Sequence, residues 1–273
     1  MIILSSCVQK TKTSYQEIDN DIFVENYISV DTSYFSDKSI KTLKYIKSDS
    51  EYVNIDFHES GDKKAIGTVK NGQVHGEYID WFENGKIQWI RNYENGNQIG
   101  ESKTYTNNGF LKKVYDNLEN KVTYYYPNGK PKETVSNNIY IDYYLNGVVK
   151  KSFLRKTDKE TTIEYFNENE EIVFKGKAVN DILYSNDSLF SGEIVCKFLN
   201  GEIAYSGKWL KGLSNGKMIS KFGNGNLEFE TDFINGKDIG VHIFYYENGK
   251  IKSSKNFKTG DFKQWDENGT LIE

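Results

Sequence analysis

After the Asn-Gly pair at 224–225 apolar and polar residues alternate, with Leu227, Phe229 and Phe233 on one side and Glu228, Glu230 and Asp232 on the other. The same alternation follows the pair at 84–85, where Ile87, Trp89 and Tyr93 oppose Gln88 and Asn92. A period of two predicts a strand with one buried face. The segment before each pair is less regular. Ile219 and Phe222, like Ile243 and Tyr246, have opposite parity, which calls for either a bulge or a strand apolar on both sides.

These segments recur. Gly61, Gly85 and Gly109 are spaced by 24, as are Gly72 and Gly96. The C-terminal half repeats the interval in Gly192, Gly216 and Gly240, in Gly201, Gly225 and Gly249, and in Gly212, Gly236 and Gly260. Five series with one period make each block of 24 a structural unit, its glycines marking turns that need positive φ or close approach. Two turn signatures alternate. In one, an aromatic is followed by Gly-x3-Gly, as in Tyr93-Gly96-Gly100, Trp209-Gly212-Gly216 and Phe233-Gly236-Gly240. In the other, an aromatic and one residue precede Asn-Gly, as at Phe82, Phe198, Phe222 and Tyr246. Twelve of 28 asparagines precede glycine, and Asn-Gly between alternating runs predicts a type I′ hairpin, so each unit holds two strands and two turns.

Residues 1–33 carry no apolar periodicity beyond a short start and read as a signal remnant and polar tether. Residues 34–149 form a first repeat array, and 188–273 a second. Between them, 150–187 hold degenerate repeats or a bend, because Asn128-Gly129 and Asn146-Gly147 stand only 18 apart and Asn169-Glu170 occupies the place of a turn glycine.

Composition supports strands. The chain has 20 Tyr, 16 Phe and 4 Trp but only three alanines, Ala65, Ala178 and Ala204, so strand formers outnumber the best helix former. The reading is an all-β, elongated antiparallel β-meander of stacked hairpins in a single curved sheet. A net charge of -4 offers no long-range attraction to a polyanion, which argues against nucleic acid and against anionic lipid headgroups.

Only two cysteines are present, so a disulfide framework is excluded. Leu4-Ser5-Ser6-Cys7 resembles the lipobox of bacterial lipoproteins, which implies acylation of Cys7 and a location at the bacterial envelope, with membrane contact through that anchor alone. Ile2-Ile3-Leu4 is shorter than a signal-peptide core, so this expectation includes a start upstream of Met1; the alternative is a cytoplasmic protein. Cys196 lies in a strand-like run and reads as a small half-buried residue.

Candidate chemistry is sparse. His58, His75 and His242 fall at three repeat positions with no ligand spacing, and no cofactor or metal is expected. Glu83, Glu247 and Glu267 recur before Asn-Gly and mark solvated hairpin corners instead of an acid/base pair. Glycine-rich stretches such as Gly223-Asn224-Gly225 lack the helix of a phosphate loop. Most aromatics recur once per unit, as a continuous core requires, leaving Trp81 and Trp265 as candidate partner-binding side chains.

Asn71-Gly72-Gln73-Val74-His75-Gly76 and Tyr246-Glu247-Asn248-Gly249-Lys250, with the alternating signatures, resemble MORN repeats, specifically the bacterial variant family often labelled YwqK-type antitoxins. The resemblance covers most of residues 57–130 and 188–273. It implies a β-meander with an aromatic-lined groove and no catalytic residues. The function expected is a non-enzymatic scaffold binding a protein or other macromolecule at the envelope. Alternatives are a cytosolic antitoxin, an envelope enzyme acting on glycans, which would need clustered carboxylates on one face, and a lipid-binding module.

Overall fold

The computed structural model describes residue 24 and residues 26–272; Cys7 and most of the expected tether lie outside them. The described chain is all-β, an antiparallel meander without a helix. Its first strands are β1 (Ser29–Tyr34), β2 (Ile40–Ser48), β3 (Glu51–Phe57), β4 (Lys63–Lys70), β5 (Gln73–Trp81) and β6 (Ile87–Glu94). Next come β7 (Asn97–Tyr105), β8 (Leu111–Asp116), β9 (Lys121–Tyr125), β10 (Pro131–Val135), β11 (Ile139–Tyr143) and β12 (Val149–Arg155). Then follow β13 (Glu160–Phe166), β14 (Ile172–Val179), β15 (Ile182–Ser185), β16 (Ser188–Leu189), β17 (Gly192–Lys197) and β18 (Ile203–Leu210). The last are β19 (Leu213–Ser214), β20 (Gly216–Lys221), β21 (Leu227–Ile234), β22 (Lys237–Tyr245), β23 (Ile251–Asn256) and β24 (Phe262–Gln264).

These strands fall into two compact units. The first takes in the described residues up to Ile87 with Asn92–Gln98, and the second Gln88–Arg91 with Ile99 onward. In the first, β1 to β5 pair in sequence order, and buried Leu43 stands opposite buried Ile55. In the second, β7 to β16 follow one another in one sheet, while β17, β18 and β20 to β24 form another, with β19 paired to β18.

The meander is therefore carried by two sheets in place of the single one expected, and in the second unit their faces meet. Tyr165 of β13 and Tyr205 of β18 stack with ring centroids 4.8 Å apart, among Phe174, Leu183, Ile194 and buried Cys196. A lone sheet leaves one apolar face in water, and folding the meander over covers it. The chain changes layers at Phe190, whose carbonyl accepts from Gly212 N at 2.7 Å. The ladder itself runs regularly through residues 150–187, the stretch of weak repeat signal.

The two turn signatures have different geometry. Asn95-Gly96 and Asn235-Gly236 have positive φ at both residues, as a type I′ turn requires. The aromatic-x-Asn-Gly turns do not, which corrects the expectation for them. At Phe82, Gly85 N donates to Phe82 O and Phe82 N to Lys86 O, and of residues 84 and 85 only the glycine has positive φ. That is a three-residue loop closing on a left-handed glycine. Asparagine serves there through its side chain, for Asn224 Oδ1 accepts from Asn226 N at 3.0 Å while its Nδ2 donates to Glu247 O at 2.8 Å. Asn248 likewise reaches Glu267 O, so these amides tie one hairpin to the next. Of the turn glycines named above, all but Gly192 have positive φ; Gly192 instead lies under the Phe190 ring.

The register shows a bulge, but on the strand after the turn: it places Leu227 and Phe229 opposite adjacent residues of β20, hence on opposite faces instead of the one face expected, and leaves β20 with its Ile219 continuous. After the Phe222 turn one residue of the returning strand is skipped in the register: Ser220 faces Phe229 and Lys221 faces Leu227, leaving Glu228 without a partner. Lys41, Lys64, Lys112, Lys132, Lys150 and Lys252 are skipped in the same way, as are Val173 and Ala204. A bulged residue leaves the alternation and its side chain is re-aimed. Most of these re-aimed side chains are lysines.

Candidate functional site

Register places one row of side chains across the first layer of the second unit. Tyr124, Glu133, Asp142, Lys151 and Tyr165 are successive partners on β9 to β13. The facing row on β18 and β20 to β23 is Tyr205, Ser220, Phe229, Phe244 and Ser253. The rows touch at the Tyr165–Tyr205 stack and diverge toward Glu133 and Phe244, both of which line a cleft of about 760 Å³. The bulge residues Lys132, Lys150, Glu228 and Lys252 also line it, together with the turn aromatics Tyr126, Phe222 and Tyr246.

At the closed end lies a buried ionic cluster. Lys150, whose side chain is 4% exposed, donates from Nζ to Ser220 Oγ at 2.9 Å and to Lys221 O at 2.8 Å. Ser220 in turn donates to Glu228 Oε2 at 2.6 Å. Asp142 Oδ2 is 3.5 Å from Lys150 Nζ and 3.4 Å from Lys151 Nζ, yet has no hydrogen-bond partner. Burial works against the Lys151 charge, but Asp142 and Glu228 outweigh it and its pKa rises. Glu133 is held above the usual carboxylate range, first by burial and then by Asp142. Burial also raises the Tyr126 hydroxyl, which donates to Tyr143 O at 2.9 Å.

Close approach of the layers depends on Gly223, where a Cβ would come within 2.9 Å of Leu145 Cβ. Nearer the mouth, Lys132 Nζ pairs with Glu247 Oε1 at 2.7 Å and stands 5.8 and 5.5 Å from the ring centroids of Tyr126 and Phe222.

The candidates from sequence are not gathered in this cleft. Cys7 lies outside the described residues. Trp81 belongs to the first unit, is half-buried, and has Lys63 Nζ 5.3 Å from its ring centroid. Trp265, also half-buried, pairs with Leu271, and its carbonyl accepts from Tyr246 Oη at 2.7 Å. His58 makes the equivalent contact to Trp81 O at 3.1 Å, and His242 is buried between Phe233 and Phe257. Among the described residues no group of His, Cys, Asp or Glu is placed to hold a metal ion. Cys196 is buried and its thiol is pushed up to about 12, mainly by desolvation. Sequence reasoning missed Glu133, Asp142, Lys150 and Ser220. The signal available was a lysine recurring six residues after the turn aromatic, at Phe35, Tyr126, Tyr144 and Tyr246.

Residues 74–95, 118–136 and 239–259 match the MORN repeat variant family. The chain carries MORN-variant repeats. The third matched segment includes Tyr246, Glu247 and Lys252 of the cleft, so the MORN-variant hairpin supplies one of its walls. No curated protein matches the sequence. Among solved structures, a mutant of S. aureus TarM in complex with fondaparinux, alpha-GlcNAc-glycerol and UDP is 19% identical over 37% of this chain and 21% of that one, with a TM-score of 0.28. TarM in a second structure is similar at 19% identity over 40% of this chain and 23% of that one, with the same TM-score of 0.28. The Photorhabdus luminescens Tc holotoxin pore is 11% identical over 89% of this chain and 15% of that one, at 0.22. The chain spans less than a quarter of each of these, and scores this low transfer neither architecture nor activity to it.

Proposed function

We propose that this MORN-variant chain is a non-enzymatic scaffold that binds another macromolecule, with the cleft of the second unit as its recognition surface. The observation that carries the reading is the wedge between Glu133 and Phe244, open to solvent and lined by turn aromatics that the repeat delivers to one place. Interfaces draw their energy from a few aromatic anchors, and Phe244, 42% exposed, is such a group on the open wall. A photo-crosslinking residue at position 244 should capture one defined macromolecular partner in the native host, whereas one at Leu118, exposed at the tip of the β8–β9 hairpin, should not. Equal capture at both positions, or none at 244, sinks the reading.

The anchor belongs to the same proposal. Leu4-Ser5-Ser6-Cys7 supports lipidation at Cys7 and residence at the bacterial envelope. The full-length native gene should yield an acylated, detergent-phase product that Cys7→Ser releases or leaves unprocessed. A soluble wild-type product would instead favour the cytosolic, antitoxin-like alternative.

A further inference from the structure

Glu133 and Asp142 are direct cross-strand partners on β10 and β11, so two carboxylates share one face within the cleft. Like charges in that relation destabilise a sheet. The local cations compensate Asp142 alone, since its Oδ2 lies 3.5 Å from Lys150 Nζ and 3.4 Å from Lys151 Nζ. Lys150 directs its ammonium to Ser220 Oγ and Lys221 O, and Lys151 stands over the Tyr140 ring at 5.6 Å from its centroid. Asp142, 9% exposed, keeps Oδ2 buried without a hydrogen bond. Glu133, half-buried, has no ion pair and no hydrogen bond among the described residues and lines the cleft.

An adjacent part of the cleft shows what such a place accommodates. There Lys132 brings a primary ammonium between the Tyr126 and Phe222 rings and onto Glu247. That is a cation held by aromatic faces and a carboxylate, a combination favourable when partly desolvated. The cleft that Glu133 lines also holds Phe244 and Tyr245, and among the described residues no cation forms an ion pair with Glu133.

We infer that the cleft receives a basic side chain, lysine or arginine, of a partner polypeptide, its cation seated against Glu133. This rests on the cleft being the recognition surface. A polypeptide fits better than a sugar because the one amide side chain in the lining, Asn248, is engaged with Glu267 O. The remaining polar wall presents ionised groups of both signs, which suit a charged peptide segment. The volume of about 760 Å³ exceeds a single amine and leaves room for flanking residues.

The test uses the full chain and three probes: an acetylated heptapeptide containing lysines, the same peptide with glutamates in their place, and glucosamine. The lysine peptide should bind by calorimetry and shift the amide resonances of residues 133 and 142, and Glu133→Gln should weaken it by about tenfold or more. Glu119→Gln, at an exposed hairpin corner, should change nothing, and a melting temperature for Glu133→Gln no lower than that of the unmutated chain shows that the fold is retained. Equal binding of lysine and glutamate peptides, or full affinity in Glu133→Gln, overturns the inference. Glutamine-sensitive binding of glucosamine without binding of the lysine peptide overturns the polypeptide source. If crosslinking at position 244 persists in Glu133→Gln at wild-type yield, the cation inference falls and the recognition cleft stands; if capture at 244 never occurs, the cleft reading itself has failed.

Discussion

Lys150 Nζ donates to Ser220 Oγ across 70 residues of sequence, joining the two layers of the second unit through side chains that are both buried. The bond exists because a bulge turns Lys150 out of the alternation of β12. Removing the ammonium would leave Glu228 without its cation and Asp142 with Lys151 alone. Lys150→Met should therefore destabilise the second unit by about 3–5 kcal/mol, the range for breaking a buried ion pair from one side. Adding Asp142→Asn and Glu228→Gln should recover much of that loss. Denaturant midpoints of the single and combined variants measure this, and additive losses would contradict the cluster.

The two kinds of Asn-Gly turn should answer differently to the same substitution. Asn235→Gly should be tolerated within about 0.5 kcal/mol, since glycine adopts positive φ freely. Asn224→Gly removes an acceptor for Asn226 N and a donor to Glu247 O, and should cost about 1–2 kcal/mol. Thermal unfolding of the pair decides it, and equal effects would mean that the inter-hairpin amide contributes nothing.

Glu133 titrates above its ordinary value in the folded chain because burial and Asp142 disfavour its charge. Its ionisation therefore opposes folding, fully so above the folded pKa, and the penalty fades as pH falls toward the unfolded value near 4.3. Glu133→Gln should stabilise the protein at pH 7, with the difference closing below about pH 4. Stability curves for the two proteins between these limits provide the check; a difference that grows on acidification would reverse the assigned sign.

Cys196 offers a reporter of opening. With the thiol raised to about 12 and the residue fully buried, alkylation at pH 8 should await unfolding, so its rate should follow denaturant in step with global unfolding. Rapid labelling of the native protein would show that the Tyr165–Tyr205 core opens locally.

Strands, turns and their succession were legible in the sequence, because alternation and turn chemistry are local. The glycines at 85 and 225 show positive φ as their spacing implied. The opposite parity of Ile219 and Phe222 announced that something interrupts the ladder, and left open which of two devices it was. A bulge is present, but at Glu228 on the returning strand and not between Ile219 and Phe222, and its place depends on which residues of β20 and β21 choose each other.

The cleft was not legible, for a physical reason. Glu133 and Asp142 are nine residues apart, Ser220 lies 70 residues beyond Lys150, and nothing in the 24-residue period relates them. Periodicity specifies neighbours within a sheet, where hydrogen bonds join successive strands. Which faces then meet is decided by burial of Tyr165, Tyr205 and Cys196, a non-directional force that writes no spacing into the chain. Local pattern was therefore enough for the hairpins and their turns, but not for the bulges. That the bulged lysines and the cross-strand carboxylates share one cavity follows from packing, because two layers had to close over a common core.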